Sequence, residues 1–239
     1  MNLYDLIIND KEKIALADVW LTPENRQQIE VLIKEHFYIE ELHKYELPVN
    51  NKLFLHGASG CGKTTTAKAI AGALGKNLVI LNLSNVVCAR IGETAQNLKQ
   101  VFDKAAREKA VLFLDEFDQV GKARDNEDSD VGEMRRLVNT LIQMIDYYPE
   151  KALLIGATNH LQVIDRALLR RFQLHISFEM PAAAELDNYY DRLLERFPKE
   201  LQSITRKYNI SYAEAKDDAF TQIKARVIWN MEQKQDSIV

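Results

Sequence analysis

Apolar or β-rich runs at residues 52–56, 77–83, 111–114 and 153–157, with a further strand-like stretch at 175–178, alternate with longer segments whose apolar residues recur at helical spacing. Ala95, Leu98, Val101, Phe102 and Ala105 follow that spacing within residues 93–109, and residues 65–74 and 131–147 read as further helices. Strands that are apolar on both faces and separated by helices predict a parallel sheet covered on both sides. Ahead of the first run, Leu3, Leu6, Ile7, Ile14 and Leu16 stand among charges, so residues 1–20 are expected to be an amphipathic helical segment. Thr22-Pro23-Glu24-Asn25 is a helix start with a capping Thr and a first-turn Pro. Ile29, Leu32, Ile33, His36 and Phe37 then carry a helical stripe, and Pro48-Val49-Asn50-Asn51 breaks it. Gly75 stops the helix that follows the first run. Pro181 marks a boundary, beyond which residues 182–235 hold no convincing strand and read as two or three helices. Ser211 and Glu214 form a capping box at the start of the last one. The expected organisation is an N-terminal helical segment over 1–20, an α/β core over 21–180 and a small all-helical subdomain over 181–239.

The first apolar run leads straight into Gly57-Ala58-Ser59-Gly60-Cys61-Gly62-Lys63-Thr64, a complete phosphate loop (P-loop) between a strand and a helix. Backbone N–H groups in such a loop turn inward around phosphate oxygens, and the helix that follows adds its positive end. Residues 57–65, Thr65 included, are therefore the candidate ATP-binding set, with Lys63 reaching the β- and γ-phosphates and Thr64 offering its hydroxyl to Mg²⁺. The run at 111–114 ends in Asp115-Glu116. At the C-terminal end of a strand in an open α/β sheet, side chains face the ligand crevice. Asp115 is the candidate second metal residue and Glu116 the candidate base that polarises an attacking water, which points to hydrolysis rather than transfer to an acceptor.

Composition narrows the setting. The chain has 239 residues, 46% hydrophobic and 28% charged, with net charge −4. No apolar run approaches the roughly 20 residues of a membrane span, and no secretion signal opens the chain. The two cysteines are Cys61, inside the phosphate loop, and Cys88; a reducing cytoplasm fits them better than a disulfide. The negative balance argues against a protein that coats nucleic acid. The five histidines show no metal-ligand spacing with the cysteines. Cys61 reads either as a thiol activated by loop amides or as a small residue at a variable position. The run 125–130 is a solvated acidic loop or faces a pore.

Over residues 18–235 the arrangement resembles the AAA+ ATPases. Gly156-Ala157-Thr158-Asn159 is similar to that family's sensor strand, which implies that Asn159 helps orient the water. Asp165-Arg166-Ala167-Leu168-Leu169-Arg170-Arg171-Phe172 resembles its arginine-finger segment, with the paired arginines of the katanin and spastin branch. Residues 91–94 and 138–146 match further family stretches, and the helical tail would be the lid. The resemblance implies that Arg170 and Arg171 reach the nucleotide of a neighbouring copy, hence a homo-oligomeric ring, a hexamer by preference. The alternative for these arginines is a helix end meeting its own dipole. The resemblance also places Trp20 and Leu21 near the adenine, although Trp20 serves equally as core.

Two departures qualify the expectation. By the resemblance Arg90 stands where threading members carry a pore aromatic, which favours remodelling or switching a protein partner over full threading; the equal alternative is that Arg90 caps a loop and faces solvent. None of Arg192, Arg196, Arg206 or Arg226 stands in a lid motif that would assign it to nucleotide. With no recruitment domain ahead of the core, a separately encoded effector is the expected partner. A nucleic-acid-linked loader is the alternative, and a small-molecule kinase is a further one that the Asp115-Glu116 pair, Asn159 and the paired arginines disfavour.

Overall fold

The computed structural model describes residues 7–8, 12, 14–87, 91–122 and 131–236. Arg90, Cys88 and the acidic run 125–130 lie outside them. Among the described residues six strands form one sheet: β1 (Ile7–Ile8), β2 (Lys52–Gly57), β3 (Leu78–Asn82), β4 (Val111–Asp115), β5 (Leu153–Thr158) and β6 (Leu174–Phe178), in the order β1-β3-β4-β5-β2-β6. The β3/β4, β4/β5 and β5/β2 pairs are parallel. The helices are α1 (Pro23–Phe37), α2 (Ile39–Lys44), α3 (Lys63–Ala73), α4 (Leu83–Val87), α5 (Ile91–Arg107), α6 (Asp118–Lys122), α7 (Val131–Asp146), α8 (Arg166–Leu169), α9 (Ala183–Leu194) and α10 (Tyr212–Asp236).

The central strands are apolar on both faces because both faces are covered. Leu112, Leu114 and Leu154 share one cluster with Leu98, Val101 and Phe102 of α5 and Val138, Leu141 and Ile145 of α7. On the other side α3 packs against β3, β4 and β5, and α1 packs against α3. Local signals fix the helix ends as the sequence implies. Thr22 accepts the Asn25 N–H at 3.2 Å with Pro23 in the first turn of α1. At the other end of α3, Gly75 has φ 63°, and the Gly75 and Lys76 N–H groups reach back to Gly72 and Ala71. That pairing is a Schellman stop.

The helix expected over residues 1–20 is not what the described residues form. Ile7 and Ile8 pair antiparallel with Leu81 and Ile80 at the sheet edge, and only a 3-10 turn at Leu16–Asp18 is helical. A short β-branched run carries no usable period. The unpaired edge of β3, and the burial of Ile7 at 6% exposure, decide its state.

The chain divides into two compact units, one of residues 1–57 with 63–177 and one of residues 58–62 with 178–239. Within the second, Leu186, Tyr190 and Leu194 of α9 pack against Ala215, Ala219 and Ile223 of α10. The tail beyond β6 holds no strand among its described residues. Ser211 and Glu214 exchange the expected capping bonds, with Ser211 N–H donating to Glu214 at 2.8 Å and Glu214 N–H to Ser211 Oγ at 3.3 Å.

One buried group makes stability depend on pH. His36, on α1, is 7% exposed. Its Nε2 lies 3.2 Å from the Asn50 carbonyl, so Nε2 carries the proton and donates. Nδ1 is buried without a partner. Burial, reinforced by the charge of Lys76, lowers His36 from 6.5 to about 4. Above pH 6.5 folded and unfolded chains are both neutral here; between 6.5 and 4 only the unfolded chain takes the proton, so stability falls as pH falls through that window. We expect this group to cost the fold about 2 kcal/mol between about pH 8 and about pH 5. Urea denaturation at both pH values checks it: His36→Leu should lose that share of the pH dependence, and an unchanged dependence refutes the assignment.

Candidate active site

Parallel neighbours present their C-terminal ends at one edge of the sheet. In this molecule β4, β5 and β2 lie side by side, so Asp115-Glu116, Asn159 and the start of the phosphate loop all emerge at the same edge. His56, the residue before Gly57, stands opposite Thr158, the residue before Asn159.

Gly57, Gly60 and Gly62 have φ values of 126°, 73° and 106°, which lets the loop coil tightly before α3. At Gly60 the constraint is steric as well. A β-carbon would come within 2.4 Å of Ser211 Oγ and 3.1 Å of Ala213 Cβ, and the Ala213 N–H donates to the Gly60 carbonyl at 3.1 Å. Lys63 is 8% exposed and its Nζ donates to the Gly57 carbonyl at 2.8 Å. The ammonium therefore closes back on its own loop, and Thr64 and Thr65 are half-buried in the first turn of α3. A buried cation, a helix N-terminus and two hydroxyls fit a polyphosphate. Among the described residues no group of three or more His, Cys, Asp or Glu could hold a metal by itself. Thr64 and Asp115 offer a hydroxyl and a carboxylate, oxygen donors of the kind that suit Mg²⁺.

Burial raises the Asp115 carboxyl above its usual range; the charges of Glu116 and Asp118 push the same way, while the Glu116 N–H and Lys63 pull it down. That N–H donates to Asp115 Oδ1 at 2.9 Å. Glu116 has φ 54°, in the left-handed region, which costs a non-glycine residue of order 1–2 kcal/mol. The next residue holds the kink. Phe117 N–H bonds the Ala157 carbonyl at 2.9 Å, and its ring meets Phe54 and Phe172 edge-on at 5.4 and 5.7 Å. Gly156 makes room for these rings, since a β-carbon there would come 2.8 Å from Phe54. Ser84, at the start of α4, donates its hydroxyl to the Glu116 carboxylate, and Asn82 Oδ1 fixes Ser84 by accepting its N–H at 2.8 Å. Sequence reading missed Ser84. The only local signal is the cap that Asn82 offers at the end of β3.

Asn159 is exposed just past β5. The two arginines differ. Arg171 Nε pairs with Asp146 at 2.9 Å and its guanidinium also donates to the Ala167 carbonyl. Arg170 is exposed, and among the described residues no hydrogen bond or ion pair takes up its side chain. In the tail, Arg196 stacks on Phe220 and Phe197 at 4.6 and 4.9 Å, Arg206 pairs with Asp187 and Asp191, and Arg226 donates to the Ser203 carbonyl at 2.7 Å. These three arginines hold the helical unit together. Cys61 is 2% exposed, with Sγ 3.8 Å from Met180 Sδ. That environment suits a packed small side chain rather than an exposed reactive thiol. Trp20 and Leu21 are half-buried.

Comparison with known proteins follows the same outline. Residues 53–180 match the family model "ATPase family associated with various cellular activities (AAA)". The chain is 32% identical over 92% of its length to the uncharacterized AAA family ATPase y4kL of Sinorhizobium fredii, spanning 67% of that protein. It is 29% identical over 81% of its length to the Proteasome-associated ATPase of Mycobacterium tuberculosis, of which it spans 36%. Among solved structures, the FIGL-1 AAA domain superposes with a TM-score of 0.66 at 21% identity, covering 83% of this chain and 67% of that one; this likeness speaks to the fold. With the phosphate loop, the acidic strand end and the family model all falling on the same sheet, the chain belongs to the AAA family of ATPases.

Proposed function

We propose that this chain hydrolyses ATP as a cytoplasmic, head-to-tail homo-oligomeric ring, a hexamer by preference, and spends the cycle on remodelling or switching a protein partner. The observation that carries the shared-site reading is the contrast at the end of α8, where Arg171 is committed to Asp146 and Ala167 while Arg170 stands exposed with its charge unengaged among the described residues. An arginine is the side chain suited to the charge that spreads over a γ-phosphoryl group, and one supplied by a neighbour completes a site that each copy otherwise leaves open.

In this reading residues 57–65 hold the triphosphate, and Lys63 gives up its bond to Gly57 to meet the β- and γ-oxygens. Thr64 and Asp115 would hold Mg²⁺, which neutralises charge on those oxygens. Glu116, oriented by Ser84, accepts a proton from the attacking water. Asn159 holds that water in line. A protein as the partner is supported by relatives such as the Proteasome-associated ATPase, and the net charge of −4 weighs against a nucleic-acid substrate.

Steady-state ATPase activity measured across protein concentration tests this reading. Specific activity should rise steeply with concentration and fall on dilution, because dilution separates the two halves of each site. Activity per chain that stays constant down to a monomeric species would refute the shared site. Stimulation by single-stranded DNA but by no protein would replace the protein partner with nucleic acid.

A further inference from the structure

Thr158, the last residue of β5, is 1% exposed. Its hydroxyl donates to Asp118 Oδ1 at 2.9 Å and accepts the His160 N–H at 2.9 Å. Asn159 is the residue enclosed by that second bond, which is a local turn closed by a threonine side chain. Asp118 is 3% exposed at the start of α6, two residues after Glu116. A buried carboxylate persists where its partners offset the cost of stripping its water. Asp118 does more than offset a cost. With the Thr158 proton directed at Asp118 Oδ1, a hydroxyl lone pair is left facing the His160 N–H. The Phe117 N–H bond to Ala157 is a second tie between the same two segments.

We propose that Asp118 and Thr158 are positioning residues for hydrolysis: Asp118 polarises and fixes the Thr158 hydroxyl, and that hydroxyl fixes the turn that carries Asn159, so Asn159 and Glu116 are presented in a set relation. This rests on the reading of Glu116 and Asn159 given above. Both positioning residues are buried. They act through backbone placement, where an error of about 1 Å can cost about 100-fold in rate.

Thr158→Val keeps the side-chain shape and deletes the hydroxyl. It should lower kcat by about 10- to 100-fold with KM for ATP held within about 2-fold. Thr158→Ser, which restores both hydrogen bonds, should return kcat to within about 3-fold of wild type. Adding Thr158→Val to Asn159→Ala should cost nothing further, because residues that act through one another are not additive. Should the valine variant fail to fold, Thr158→Ala makes the same comparison without added apolar volume. A serine variant as impaired as the valine one, or a loss that multiplies in the Asn159→Ala background, overturns the proposal. Two failures are distinguishable: full turnover by Asn159→Ala removes the role given to Asn159 and this device with it, whereas an impaired Asn159→Ala beside a fully active Thr158→Val removes the device alone.

Discussion

Glu116→Gln will bind ATP and fail to turn it over. The substitution removes the basic carboxylate and keeps the size, the left-handed backbone and an oxygen for the Ser84 hydroxyl, so the surroundings have little reason to rearrange. General-base contributions run to about 10²–10⁴ in rate, and we expect a loss in that range with ATP affinity within a few-fold of wild type. Single-turnover hydrolysis set beside equilibrium ATP binding separates the two quantities. Undiminished turnover would mean that water is activated elsewhere, and the acidic strand end would be left with only its metal-side role. Loss of ATP binding along with turnover would show a collapsed site and point to strain at the kink rather than to proton transfer.

Arg170→Ala should lower turnover by about 10³-fold or more, on the scale seen when an arginine is withheld from a phosphoryl-transfer site. ATP binding should persist, because the nucleotide held by a given copy sees its own phosphate loop. The decisive experiment mixes two inactive proteins. Copies carrying Glu116→Gln retain Arg170, and copies carrying Arg170→Ala retain Glu116, so some junctions in a mixed assembly contain both groups. Activity should reappear on mixing and exceed that of either variant alone. A mixture as inactive as its components would show that Arg170 serves only its own chain. Arg171→Ala provides the contrast, since it breaks a pair with Asp146 and a bond to the Ala167 carbonyl inside one chain. Its main effect should be a lowered melting temperature.

Whatever depends on neighbours in sequence was legible before the structure. The phosphate-loop motif is spelled in eight consecutive letters, and the caps of α1 and α10 and the stop after α3 draw their bonds from within a few residues. The central strands were legible too, since burial on both faces writes itself as an uninterrupted apolar run in β4 and β5. Ser84 was not, because it meets Glu116 only through the register of β3 against β4, which places Asn82 opposite Asp115. The different surroundings of Arg170 and Arg171 were equally hidden: two identical adjacent letters differ in which one finds Asp146, a residue from the end of another helix. The N-terminal strand was hidden because two residues have no period and take their conformation from the open edge they cover.

The pattern G-x-x-x-x-G-K-T leaves its fourth position open to any residue. In this molecule the letter is closed. Gly60 is pinned between a backbone angle that L-residues avoid and the first turn of a helix that begins some 150 residues later. The permissive spelling of a motif and the tolerance of the site built from it are separate quantities, and here the second is set by a distant stretch of chain.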